Sequence, residues 1–196
     1  MIIKLVNHPV YKYIVFVHPP RTSGTSIEVQ LQHGLDFPHK HESTDYYEQI
    51  LEDSFSFGTI RNPFDILVSK YKIGWYESGK TNSELDEKSS LQDKFLHWLK
   101  YFISINGRVH AHEKENSLSE YFKKDLDFYI KYETRHDDLC ALNKIFEENN
   151  IPINLKSEFI VANSYTANYK DFYNEEAIDL ASSFYENDLR RFNYAF

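Results

Sequence analysis

An arginine set among hydroxyls, directly after a run of apolar residues, has the chemistry of an anion site. This chain carries that pattern in His18-Pro19-Pro20-Arg21-Thr22-Ser23-Gly24-Thr25-Ser26. Arg21 brings fixed charge, and Thr22, Ser23, Thr25 and Ser26 bring hydroxyls. Backbone N–H groups exposed where a loop turns into a helix bind phosphate or sulfate together with the helix dipole. A second pattern is Arg61-Asn62-Pro63-Phe64-Asp65, with Ser69 about two helical turns beyond Arg61. Its arginine suits charge-assisted, bidentate bonds to an oxyanion, and its serine adds a hydroxyl donor. Each pattern alone has a plainer reading: a Pro-Gly turn with a surface arginine, Arg61 paired with Asp65, and Ser69 as an exposed helix hydroxyl.

Both patterns need strands to carry them. Ile14 to Val17 is a short, continuous apolar run, as expected of a buried parallel strand, and the two prolines and the glycine that follow stop it. A helix is expected from Thr25, with Ile27, Val29 and Leu31 at its apolar positions. Gly34 to Lys40 reads as a loop. Ser43, Thr44 and Asp45 are good caps for a further helix, and Asp45 with Glu48 resembles a capping box. Phe55 to Ile60 reads as a second buried strand, with Pro63 suited to the first turn of the helix after it. Gly74 to Ser90 and Asn106 to Ser117 read as polar loops, and Leu91 to Phe102 as a helix. A third strand is expected at Phe128 to Tyr132, a helix at Asp137 to Phe146 and a short strand at Phe159 to Val161. A last helix is capped by Asn174 and buries Ala177, Leu180, Ala181, Phe184 and Leu189. Strands alternating with helices predict an α/β domain with a central parallel sheet and helices on both faces. No linker divides residues 1–196, so a single domain is expected.

Composition narrows the function classes. The 196 residues carry a formal net charge of -8, which argues against nucleic acid as a partner, since such proteins present a basic footprint. A few cationic side chains in one cleft still reverse the local field for a small anion. The single cysteine, Cys140, excludes a disulfide within the chain and reads as a packed small hydrophobe. Residues 1–17 are too interrupted by Lys4, Asn7, His8, Pro9 and Lys12 for a signal segment or a membrane span, so a cytoplasmic location without membrane association is expected. The 15 Tyr and 15 Phe are read mainly as core.

Against a Walker A loop, with Gly24 as the second glycine, Thr25 falls at the lysine position and Pro19 at the first glycine. The second strand ends in Arg61, where a metal-dependent kinase carries an acid. Phe16 to Ser26 instead resembles the 5′-phosphosulfate loop of sulfotransferases, typically Phe-x-His-x-Pro-Lys-Thr-Gly-Gly-Thr-Ser. Arg21 stands where the family usually has Lys, and Ser23 where it usually has Gly. Phe57 to Tyr71 resembles the family's 3′-phosphate motif, Arg-Asn-Pro-x-Asp-x-x-x-Ser-x-Tyr after an apolar strand. Weaker likenesses are Tyr129 to Glu133, similar to the strand that precedes a helix in many members, and Asn163-Ser164, Tyr169, Tyr173 and Asp188 to Tyr194, similar to the C-terminal region of the carbohydrate-type branch.

The resemblance implies a three-layer, P-loop-like fold and transfer of a sulfuryl group from 3′-phosphoadenosine 5′-phosphosulfate (PAPS) to an acceptor hydroxyl, with no metal. By the same resemblance Arg21 and Thr22 to Ser26 hold the 5′-phosphosulfate, Arg61 and Ser69 hold the 3′-phosphate, and the released product is 3′-phosphoadenosine 5′-phosphate (PAP). The acceptor implied is a small molecule or a glycan, with Trp75, Tyr76 and Trp98 as candidates for stacking on a sugar. Among nine histidines, His41 is chosen as the general base, because related enzymes often carry a Lys-His pair at the place of Lys40-His41. Glu42, Glu28 and His18 are the alternatives. His110-Ala111-His112 is read as surface loop and assigned no metal. Two rivals stand beside this reading: a non-catalytic PAP- or PAPS-binding protein, and a divergent P-loop kinase.

Overall fold

A computed structural model describes residues 1–32, 41–75, 78–83, 85, 88–106, 117–158 and 168–196. The chain is α/β, built on an open, mostly parallel sheet with strand order β1-β2-β3-β4. The strands are β1 (Ile2–Lys4), β2 (Tyr13–Val17), β3 (Ser54–Ile60) and β4 (Phe128–Lys131). β2 pairs parallel with β3, Phe16 against Phe57, and β3 pairs parallel with β4, Ile60 against Lys131. β1 pairs antiparallel with β2, so the sheet is not wholly parallel as expected, and β1 itself has no counterpart in the sequence reading. Ile2-Ile3-Lys4 is too short to show a period, and Ile2 is partly exposed at the sheet edge.

Contacts group the residues into two compact units, 1–61 with 120–163, and 62–119 with 164–196. The first holds the sheet, α1 (Gly24–Gln32) and α7 (Arg135–Glu148). Every residue of β3 is buried, as befits the strand between two parallel neighbours. Its core joins Phe16, Phe57 and Ile130 of the strands to Ile27 of α1 and Leu142 and Phe146 of α7. Fully burying such side chains contributes about 1.5–3 kcal/mol each. Gly58 is the one residue type β3 accepts at its position. A Cβ there would come within 2.7 Å of the Val17 carbonyl and 2.8 Å of the Phe122 ring.

The second unit contains α3 (Pro63–Lys72), α4 (Ser78–Ser83), α5 (Leu91–Asn106), α8 (Glu175–Phe184) and α9 (Glu186–Phe192). Aromatic edges dominate its core: Phe95 meets Tyr173 at 4.7 Å between ring centroids, and Tyr71 meets Trp98 at 5.4 Å. The Asn174 Oδ1 accepts from the Ala177 N–H at 2.9 Å, the cap expected there, and Pro63 opens α3 as expected, with the Asn62 Oδ1 accepting from the Phe64 N–H at 3.1 Å ahead of it.

Several expectations are corrected. The segment after Ser43 is a 3-10 turn, Thr44–Tyr47, leading into the short α2 (Glu48–Leu51), and no capping box forms. Asp45 pairs with Lys123 and Glu48 with Lys124 instead, which takes both carboxylates away from the helix end. α4 lies in the stretch read as loop. The C-terminal helix breaks after Phe184, and α9 starts afresh with its own acidic first turn. Asp188 is drawn inward to accept the Leu118 and Ser119 N–H groups at 2.7 and 2.8 Å, capping α6 (Leu118–Tyr121). Cys140 is exposed rather than packed, because Leu139 and Leu142 take the buried face of α7. Val29 is exposed on α1 while Ile27 is buried. The expected loop at Gly34 to Lys40, the expected strand at Phe159 to Val161, Tyr76, His110, His112 and Asn163-Ser164 lie outside the described residues. No described helix is long and apolar enough to cross a membrane.

Candidate anion-binding site

Parallel neighbours end at the same edge of a sheet, and ligands of open α/β sheets bind beyond those carboxyl ends. The loop after β2 takes an uncommon backbone path there. Arg21 and Ser23 both have positive φ, 70° and 67°. That conformation costs a non-glycine residue about 1–2 kcal/mol, so surrounding contacts must hold it. Thr22, fully buried between them, supplies one: its hydroxyl donates to the Pro19 carbonyl at 2.7 Å and lies 2.7 Å from the Thr59 hydroxyl of β3. The loop closes on His18, whose ring stacks on Phe16 and fills the space over Gly24. A Cβ on Gly24 would stand 2.2 Å from the His18 Cγ. α1 opens at Gly24, so Gly24, Thr25 and Ser26 form its first turn, with the Ser26 N–H turned back to the Ser23 carbonyl at 3.2 Å.

Arg61 leaves β3 beside this loop. Its Nη1 donates to the Arg21 carbonyl at 3.1 Å, and its guanidinium lies 3.9 Å above the Tyr132 ring. Tyr132 continues β4 by donating its N–H to the Ile60 carbonyl at 2.8 Å. The cation thus rests on the face of an aromatic ring, which fixes its direction at a gain of about 1–2 kcal/mol. Ser69 belongs to the second unit, on α3, and is 1% exposed, so it is not the exposed hydroxyl of the plainer reading.

His41 comes to the same loop, with φ of 61°. Its Nδ1 lies 2.9 Å from the His18 carbonyl, and the two rings meet edge to face at 4.6 Å. A carbonyl only accepts, so Nδ1 carries the proton of the neutral ring and Nε2 holds the lone pair. His18 is a different kind of histidine. Burial pushes its pKa down from 6.5 to about 4, although Glu28, with Oε2 3.7 Å from the His18 Nε2, acts in the opposite direction. At neutral pH His18 is uncharged, and it is packed against Phe16 and Gly24. Glu28 is also buried, on α1, while Glu42 is partly exposed.

One cation of the site was missed in the sequence. Arg135 heads α7 and is 4% exposed. Its Nη1 donates to the Ser23 hydroxyl at 3.3 Å and its Nε to the Ser157 carbonyl at 3.4 Å. Burial lowers its pKa, while Tyr132 acts to raise it. Asp138 fixes the approach, accepting from the Lys131 N–H and the Thr134 hydroxyl at 2.8 Å each, which ties the end of β4 to the head of α7. A signal was available. Arg21 and Arg135 each follow a parallel strand by four positions and Arg61 follows one directly.

The first unit therefore brings Arg21, Thr22, Ser23, Gly24, His41, Arg61 and Arg135 to one set of strand ends. Of the aromatics considered for sugar stacking, Trp98 is fully buried, its Nε1 donating to the Trp75 carbonyl at 3.0 Å, so it is core. Among the described residues no group of three or more His, Cys, Asp or Glu could hold a metal ion. Compared with family models, curated proteins and solved structures, the chain matches none.

Proposed function

We propose that the chain is a PAPS-dependent sulfotransferase with a three-layer, P-loop-like α/β fold, acting on a hydroxyl of a small molecule or glycan. The observation that carries the reading is the bond from the Arg61 Nη1 to the Arg21 carbonyl, 3.1 Å. It joins the two motifs that the resemblance assigns to the two anionic ends of the donor. The buried, ring-backed guanidinium and the α1 N-terminus suit such a donor.

In this mechanism the loop from Arg21 to Ser26 grips the 5′-phosphosulfate, and Arg61 binds the 3′-phosphate. The acceptor oxygen forms a bond to sulfur as the bridging bond from sulfur to the phosphate oxygen breaks. The acceptor proton passes to the His41 Nε2, whose lone pair is set by the Nδ1 bond to His18. Arg21 neutralises charge growing on the leaving phosphate oxygen, and such preorganised charge supplies most of the rate gain.

Calorimetric titration with PAP, against ATP plus magnesium, tests the donor site. PAP is expected to bind tightly to the wild type and ATP weakly, with Arg61→Ala weakening PAP by about 10- to 100-fold. No PAP binding, or a preference for ATP with magnesium, sinks the reading in favour of a kinase. In an acceptor assay His41→Ala should lower the rate by about 100-fold or more with PAP affinity kept. PAP binding with no turnover in any acceptor screen favours the binding-protein rival.

A further inference from the structure

We propose that Arg135 is a donor-binding residue that grips the 5′ phosphate side of the nucleotide. This rests on the sulfotransferase reading for the identity of the nucleotide, and on the geometry alone for the anion. Arg135 and Arg61 approach one loop from different strand ends, bonding the Ser23 hydroxyl and the Arg21 carbonyl. Both are nearly buried, at 4% and 7% exposed, and the Arg61 guanidinium is backed by the Tyr132 ring. An anion seated on this loop is attracted to both guanidiniums, and burial strengthens that attraction.

The division of labour follows from the contacts. Ser23 lies inside the stretch that cradles the 5′ group, and Arg135 is the cation bonded to its side chain. A hydroxyl at 3.3 Å is a weak acceptor for a guanidinium, whereas a phosphate oxygen gives a charge-assisted bond. Ser23 stands where the resembling loop usually has glycine, and its hydroxyl is the group that Arg135 meets.

The test is calorimetry on the wild type, Arg135→Gln and Arg135→Lys with four probes: PAP, adenosine 5′-monophosphate, adenosine 3′-monophosphate and pyrophosphate. Arg135→Gln should weaken the 5′-monophosphate and pyrophosphate by about tenfold or more, weaken PAP similarly and leave the 3′-monophosphate unchanged. Arg135→Lys should lie between. If Arg135 only staples the loop to the Ser157 segment, melting falls and all four affinities stay in proportion, which overturns the assignment. If the wild type binds pyrophosphate in an Arg135-dependent way but no nucleotide, the sulfotransferase reading fails and the anion site stands. If nothing binds, both fail. Should Arg135→Gln not fold, the Nε–H resonance of Arg135 in the wild type decides: it should shift as pyrophosphate is added, and an unmoved signal at saturation overturns the proposal.

Discussion

β2 and β3 lie side by side and end at the same edge, yet they leave the sheet by different means. β2 enters a loop with two non-glycine residues at positive φ, held by a buried threonine and a histidine pressed on a glycine. β3 passes through Arg61 into a helix started by an asparagine cap and a proline, both in ordinary conformations. The first exit is a conformation its own residues disfavour; the second is what its residues prefer. Strain held in place by surrounding contacts points to function, and relaxed caps point to folding. The strained exit gathers Arg21 and Ser23, with Arg135 bonded to Ser23 and His41 to the His18 carbonyl. The relaxed exit adds one cation, Arg61.

The largest effect should come from breaking the strained exit at its tightest point. Gly24→Ala places a Cβ 2.2 Å from the Cγ and 2.3 Å from the Cβ of His18. The His18 Cβ is fixed by the backbone, so no rotamer change clears it, and the ring beyond is seated on Phe16. Unfolding free energy should fall by about 3 kcal/mol or more, read from urea denaturation. An unchanged midpoint would mean that the His18 ring does not fill this space.

His18 also makes the strained exit sensitive to pH. Its folded pKa, about 4, lies below the ordinary 6.5 because burial penalises the charged ring. Between those values the unfolded chain binds a proton that the folded chain does not, so stability rises with pH across this window. The contribution is complete above pH 6.5 and lost progressively down to pH 4, by up to about 3 kcal/mol. Denaturation at pH 7 and pH 4.5 measures it. His18→Gln should flatten that slope; an equal slope in the variant would assign the pH dependence to other groups.

The difference between the exits also explains what was legible in the sequence. The three parallel strands, the Pro63 start of α3 and the Asn174 cap follow from local rules: apolar runs, Pro at the first helical position, Asn with an N–H three residues on. β1 was not legible, because three residues carry no period and its pairing with β2 is decided by tertiary contact. The 3-10 turn at Thr44 departs from the expected capped helix because Asp45 and Glu48 pair with lysines distant in sequence, Lys123 and Lys124, instead of backbone. At the site, Arg21, Arg61 and the hydroxyls were found as motifs. Arg135 is harder to read, because its place four positions beyond β4 gains meaning only with β4 next to β3, with more than 60 residues between them. The positive φ values at Arg21, Ser23 and His41 have no sequence signal either, since none of these residues is a glycine.

The smallest expected effect sharpens the comparison from the relaxed side. Asn62 caps α3 through Oδ1, and its Nδ2 donates to the Ala195 carbonyl at 2.9 Å. Asn174 makes the same kind of cap on α8, with the Ala177 N–H at 2.9 Å, and is less buried. Asn174→Ala should therefore cost about 1 kcal/mol, an ordinary cap. Asn62→Ala should cost about 1–2 kcal/mol, because it also leaves a carbonyl of the C-terminal segment without its donor. Asn62→Asp separates the two parts: it keeps the acceptor for the Phe64 N–H and removes the donor to Ala195. If Asn62→Asp is as stable as the wild type, the cap alone accounts for Asn62. If it is as unstable as Asn62→Ala, the bond to Ala195 is the greater part, and the relaxed exit of β3 depends on the C-terminal segment as well as on its own residues.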